Sequence, residues 1–68
     1  MRDETELQMV RRHVRQGEAH IARQREIITM LRDRGHDTDA AEDLLALFER
    51  TLVAHRAHLA RLLDPNSN

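Results

Sequence analysis

Apolar residues recur along the chain at intervals of three and four, which is the spacing of one face of an α-helix. In the first half of the chain these positions are Leu7, Val10, Val14, Gly17, Ile21, Gln24, Ile28 and Leu31. In the second half they are Ala41, Leu44, Phe48, Thr51, His55, His58 and Leu62. Two sustained stretches of helical period predict two amphipathic helices whose apolar faces meet in one intrachain seam.

The first helix is expected to span about residues 4–34. Asp3 and Glu6 match the D-x-x-E capping box, in which the N-cap carboxylate accepts from an early backbone N–H and the glutamate reaches back. Gly35 follows the last apolar positions, and glycine readily adopts the left-handed conformation that ends a helix. The sequence therefore predicts a turn at residues 35–38.

The second helix is expected to span about residues 39–63, with Thr38 or Asp39 as its N-cap. It should end before Pro65, since the residue before a proline disfavours helical angles, and a polar tail at 64–68 follows. A short link between two long helices predicts an antiparallel hairpin. The expected fold is a single all-α helical-hairpin domain.

The two faces can be paired about the turn. If partner residue numbers sum to 72, the turn centres on His36, Gly17 lies opposite His55, and Val14 lies opposite His58. Glycine inside a helix costs roughly 0.5–1 kcal/mol relative to alanine, so room for an imidazole would explain Gly17.

This pairing leaves a leucine stripe outside the seam, and self-association would cover it. A chain of 68 residues without cysteine lies below the roughly 70–80 residues at which a single core suffices. The predicted oligomer interface consists of Leu45, Phe48, Leu52 and Leu59. In a competing register the seam contains Leu45, Phe48, Leu52, His55, Leu59 and Leu62, and Leu44 and Thr51 face the partner. Both registers predict a four-helix bundle, most simply a homodimer.

The histidines are the only candidate metal ligands that stand out. His55 and His58 are close enough on one helix to share a metal, and His13 could approach His58 across the seam. Packed, hydrogen-bonded histidines explain the same pattern, and buried imidazoles would also make the packing sensitive to acid. His20 is expected at the edge of the seam and His36 in the solvated turn. Glu-x-x-His pairs, phosphate loops and nucleophile signatures are absent from the sequence, so it predicts neither catalytic residues nor a cofactor.

Charge and hydropathy argue against nucleic acid and membrane as binding partners. The net charge is −1, and Phe48 is the only aromatic residue. The stretch RRHVR at 11–15, with Arg23 and Arg25, makes the first helix basic, but interleaved acids favour an ion-paired face over nucleic-acid binding. No apolar run is long enough to span a membrane, and no signal region precedes the first helix. The expected location is the cytoplasm.

The span 13–62 resembles a group of very short proteins of alphaproteobacteria, common in rhizobia and their relatives. The shared pattern is I-x-x-Q-x-x-x-I-x-x-L, then G-H-D-T, then A-x-x-L-L-x-x-F-x-x-T-L-x-x-H. The matching residues are Ile21, Gln24, Ile28, Leu31, the turn 35–38, Ala41, Leu44, Leu45, Phe48, Thr51, Leu52 and His55. The resemblance implies a bacterial source and a helical hairpin, and it implies no activity.

These observations favour a small, non-catalytic, homo-oligomeric interaction or regulatory protein. Its expected partner is a second copy of itself, with another protein as a further candidate. Two other functions stay open: a His-ligated metal-binding bundle, and a nucleic-acid accessory factor that uses the arginine-rich face of the first helix.

Overall fold

The computed structural model describes residues 4–66 and forms an antiparallel hairpin of two α-helices. The first helix, α1, spans Glu6–Asp33, and the second, α2, spans Asp39–Leu63. The Cα atoms of the hairpin extend over 50 × 30 × 13 Å, and the two helices lie side by side in one layer. The predicted all-α hairpin is confirmed.

Helix α1 begins two residues later than the sequence pattern indicated. Thr5 is the N-cap: its hydroxyl accepts from the Gln8 N–H at 3.1 Å, and the Gln8 side-chain oxygen accepts from the Thr5 N–H at 2.9 Å. The predicted N-cap at Asp3 was wrong, because Thr5 and Gln8 offer the same reciprocal capping chemistry further along. Asp3 itself lies outside the described residues.

The turn has the hydrogen bonds of a Schellman motif. The Gly35 N–H donates to the Arg32 carbonyl at 3.0 Å, and the His36 N–H donates to the Leu31 carbonyl at 2.9 Å. Gly35 has a φ of +73°, a conformation that strains side-chain-bearing residues. The predicted role of Gly35 is confirmed, with Arg34 as the C-cap.

Helix α2 starts and ends close to the predicted limits. Thr38 is its N-cap but makes no side-chain cap bond. Instead, the Asp37 carboxylate accepts from the Asp39 N–H at 2.9 Å. Asp64, which precedes Pro65, has extended backbone angles (φ −77°, ψ 117°), as the residue before a proline prefers.

The contact between Gly17 and Leu52 sets the register of the two helices. A Cβ built on Gly17 would lie 3.1 Å from Leu52 Cδ1, so these residues face each other and their numbers sum to 69. The predicted sum of 72, which placed Gly17 opposite His55, was wrong. The observed register buries Leu52, which is 5% exposed, and leaves Thr51 exposed. Burying leucine in place of a hydroxyl is the favourable choice.

The seam of α2 therefore follows the competing register. Counting by three and four from Leu52 gives the α2 seam positions Ala41, Leu45, Phe48, Leu52, His55, Leu59 and Leu62. The α1 seam positions keep the predicted set. Val10, Ile21, Ile28 and Leu52 are the buried apolar residues of the described part of the chain.

Gln24 is the buried polar member of the seam. Its side chain is 6% exposed, and its Nε2 donates to the Ala41 carbonyl at 2.8 Å. No buried side-chain nitrogen or oxygen within residues 4–66 lacks a hydrogen-bond partner. The polar layer is therefore satisfied.

Candidate interaction surface

The seam divides the hairpin into two sides. Successive residues of an α-helix are rotated by about 100°, so residues that precede seam positions and residues that follow them lie on opposite sides. Residues that precede a seam position include His13, Gln16, His20, Leu44, Leu47 and Thr51. Residues that follow one include Glu18, Arg25, Arg32, Glu42, Glu49 and Arg56. We call these the groove side and the ion-paired side.

The ion-paired side carries three salt bridges between the helices. Arg56 pairs with Glu18 at 3.1 Å. Arg25 pairs with Glu49 at 3.5 Å. The third pair joins Arg32 Nη2 to Glu42 Oε1 at 3.4 Å. All three are exposed, so each contributes little stability, but together they give this side a polar surface that is compatible with water.

The groove side contains a shallow depression of about 290 Å³. Its lining consists of His13, Gln16, Gly17, His20, Leu47, Phe48, Thr51 and His55. Gly17 deepens the groove because it presents no side chain. We refer to this depression as the groove.

Large apolar side chains are exposed along the same side. Leu44 is 40% exposed, Leu47 is 49% exposed and Met30 is 38% exposed, and each of them precedes a seam position. Val53 and Leu63, at 66% and 52%, follow seam positions and lie toward the ion-paired side. The groove side thus combines exposed aliphatic residues with a depression and with none of the three cross-helix salt bridges.

Imidazole rings occupy both ends of the groove. The rings of His13 and His55 have centroids 4.9 Å apart and are tilted by 47°. The ring of His20 lies 5.6 Å from that of Phe48. His13 and His55 are half-buried, whereas His20 is exposed. The sequence did not anticipate either ring pair.

The other two histidines lie elsewhere. His58 Nε2 lies 2.9 Å from Glu6 Oε1, on the groove side but beyond the groove. His36 is exposed in the turn. Across the seam, His13 lies against His55, and the contact described for His58 is with Glu6. Within residues 4–66, no group of three or more His, Asp and Glu side chains is placed to hold a metal ion.

The observed register places most residues of the predicted oligomer interface inside the hairpin. Leu52 is buried against Gly17, and Leu45 and Leu59 are half-buried seam positions. They cannot form the exposed stripe that was expected, because they pack within the hairpin. Phe48 is half-buried and lines the groove.

Sequence reasoning missed Leu47 and Gln16 as groove residues. A signal for Leu47 was present, since Leu44, Leu47 and Thr51 recur at intervals of three and four and each precedes an α2 seam position. This second pattern can be distinguished from the seam only when the seam positions of α2 are known. Gln16 has no apolar signal of its own.

The basic residues of α1 are partly neutralised by neighbouring acids. Arg12 makes two hydrogen bonds to the Glu4 carboxylate, at 3.0 and 2.9 Å. These bonds lower the pKa of Glu4 from its ordinary value and raise the pKa of Arg12. Arg23 pairs with Glu26 at 3.3 Å. The surface of α1 around these arginines therefore carries charges of both signs.

Neither helix in the described range is long and apolar enough to cross a membrane. Comparison of the chain with protein-family models, with curated proteins and with solved structures found no match. The resemblance to short alphaproteobacterial proteins therefore stays a prediction, and the groove side must be interpreted from its own geometry.

Proposed function

We propose that this protein is a small, non-catalytic interaction module that self-associates through its groove side, most simply as a homodimeric four-helix bundle. The observation that carries the proposal is the contrast between the two sides of the seam. One side pairs its charges across the helices at three places, with Val53 and Leu63 exposed beside them, while the other combines the exposed Leu44 and Leu47 with the groove. A second hairpin laid on the groove side would cover these residues.

The exposed area supports this proposal. The hairpin exposes 5478 Å², whereas a compact folded monomer of 8.0 kDa typically exposes about 4,450 Å². The excess of about 1,000 Å² is close to the roughly 800 Å² that one partner buries in a stable interface. A dimer would bring this protein to the burial that compact proteins of its size reach alone.

We propose a regulatory role because the dimer would keep a second surface available for another protein. A four-helix bundle made from two hairpins leaves both ion-paired sides free for a further protein. The absence of cysteine is compatible with a reducing compartment, and we place the module in the cytoplasm.

Substitution of Leu47 by arginine tests the interface. Leu47→Arg should leave the hairpin folded, because half of the leucine side chain is already exposed, and should weaken dimerisation at least about tenfold by placing charge in an apolar contact. The matched control is Leu63→Arg, which makes the same change at a residue of similar exposure toward the ion-paired side. Sedimentation velocity over a range of concentrations provides the measurement, with circular dichroism to verify folding.

The outcomes separate clearly. A wild-type dimer that Leu47→Arg disrupts and Leu63→Arg preserves supports the groove side as the interface. A folded wild-type monomer at all concentrations contradicts self-association, and disruption by Leu63→Arg alone assigns the interface to the opposite side.

A further inference from the structure

We propose that His13 and His55 form half of a zinc-type metal site, and that a second copy of the chain completes it. The inference rests on the self-association proposed above and adds a ligand to the interface. The ligand class is a borderline divalent cation such as Zn²⁺, for which imidazole nitrogen is a preferred donor.

The spacing of the two rings fits chelation of one ion. Zinc–nitrogen bonds are about 2.0–2.1 Å long, and adding the radius of the imidazole ring puts the ring centre about 3.2 Å from the metal. Two such rings at tetrahedral angles have centres about 5 Å apart. The centroids of His13 and His55 are 4.9 Å apart, a spacing that allows both rings to bind one ion once a nitrogen of each is turned toward it.

The two helices hold this pair in place. His55 is an α2 seam position, and His13 directly precedes the α1 seam position Val14. Both rings line the groove, so an ion can reach them from solvent before a partner closes over it. Because the ligands come from different helices, metal binding would also tie α1 to α2.

A single hairpin cannot supply the remaining ligands. His20 lies against Phe48 and His58 against Glu6, and the described residues contain no group of three or more potential ligands. Two protein ligands leave a tetrahedral ion half coordinated, whereas structural zinc sites are usually closed by four. The missing pair must come from another molecule.

A two-fold axis can provide that pair. When two groove sides face each other across an axis parallel to the helices, every residue lies level with its own copy. His13 and His55 of both chains then converge and form a four-imidazole site. The same arrangement lays the exposed Leu44 and Leu47 of each chain over helix α1 of the other, so one geometry serves the apolar contact and the metal site.

Zinc titration of the purified protein tests the inference, with calorimetry to give stoichiometry and sedimentation to give the dimer dissociation constant. We expect one Zn²⁺ per two chains and a dissociation constant lowered at least about tenfold, because an ion that binds only the dimer stabilises it. His13→Ala and His55→Ala should both abolish the effect. His20→Ala, in the same groove, and His36→Ala, in the turn, are the matched controls and should keep it.

His13→Ala is the safer variant, since His13 lies outside the seam and its removal leaves the packing between the helices intact. One Zn²⁺ per chain, no zinc binding by the wild type, or equal losses in His20→Ala and His13→Ala would overturn the shared site. The two proposals fail separately. If the protein is a dimer in EDTA and zinc does not change its dissociation constant, self-association is supported and the metal site is contradicted. If the protein is a monomer in EDTA and dimerises when zinc is added, the metal site is supported and assembly driven by apolar contact alone is contradicted.

Discussion

Gly17 controls how closely the two helices approach. Its missing side chain lets Leu52 pack against the α1 backbone, with Cδ1 only 3.1 Å from where a Cβ would be. The same absence opens the floor of the groove. One residue therefore serves both the buried seam and the surface that we propose for assembly.

Enlarging residue 17 should destabilise the hairpin. Gly17→Leu is expected to lower the free energy of unfolding by about 1–3 kcal/mol, because a larger side chain overpacks the contact with Leu52. Gly17→Ala should have a small effect, since the gain in helix propensity of roughly 0.5–1 kcal/mol is offset by the tight contact. Urea denaturation at one fixed protein concentration measures both changes.

Ala19→Leu is the matched control, because Ala19 is exposed on the same helix and the added leucine has no close neighbour to displace. Equal destabilisation by Gly17→Leu and Ala19→Leu would mean that residue 17 does not lie against Leu52.

At the scale of the helices, the two N-termini are capped differently. Thr5 makes a full capping box with Gln8, whereas Thr38 makes no side-chain cap bond and its hydroxyl instead donates to Glu42 at 3.1 Å. The same residue type therefore contributes differently to the two helices.

Alanine substitutions should expose this difference. Thr5→Ala is expected to cost about 1 kcal/mol of stability, the usual effect of losing a capping hydroxyl. Thr38→Ala should cost less, because the α2 N-terminus does not depend on its hydroxyl. Thermal unfolding followed by circular dichroism compares the two variants, and a larger loss in Thr38→Ala would contradict the capping assignment.

The sequence predicted the helices and the turn well because their signals are local. Helical period, the left-handed Gly35 and the proline after α2 each act within a few residues. The register was not predictable in the same way, because α2 carries adjacent pairs, Leu44–Leu45 and Thr51–Leu52 among them, that satisfy either choice. The contact that decided between them, Gly17 with Leu52, joins residues far apart in the chain.

The candidate site was less predictable for the same reason. His13 and His55 were both singled out, but their pairing depends on the register and not on any local motif. Leu47 was missed because it belongs to a pattern offset by one residue from the seam. The spacing of residues within one helix therefore identified candidate residues, but it did not identify which residues of the other helix they contact.

At the scale of the whole molecule, thinness is the dominant property. A single layer of two helices, whose Cα atoms span 13 Å in the thin direction, cannot enclose its core. In the described chain only Val10, Ile21, Ile28 and Leu52 are buried apolar residues. Every seam side chain lies close to one of the two sides. Stability of the hairpin should therefore depend on what covers the groove side.

This dependence predicts a concentration effect on unfolding. For a dimer that unfolds to two monomers, a hundredfold dilution should lower the melting temperature by about 10 °C at this chain length. Leu47→Arg should melt at one temperature at all concentrations below its weakened dimer dissociation constant. Calorimetry over that range provides the measurement, and a wild-type midpoint independent of concentration would argue against dimer-linked folding.

The order of charges on the ion-paired side also distinguishes correct from shifted pairing. Sliding α2 by one heptad keeps apolar residues facing each other, so hydrophobic contact alone penalises the error weakly. In one direction, however, Glu18 would face Glu49, and in the other Arg25 would face Arg56. Each slip replaces the three native ion pairs by one like-charge pair and one opposite-charge pair, Arg25 with Glu42 or Arg32 with Glu49. The same holds when α1 of one copy pairs with α2 of another. The exposed salt bridges, which add little to stability, thus favour the native register over either one-heptad slip.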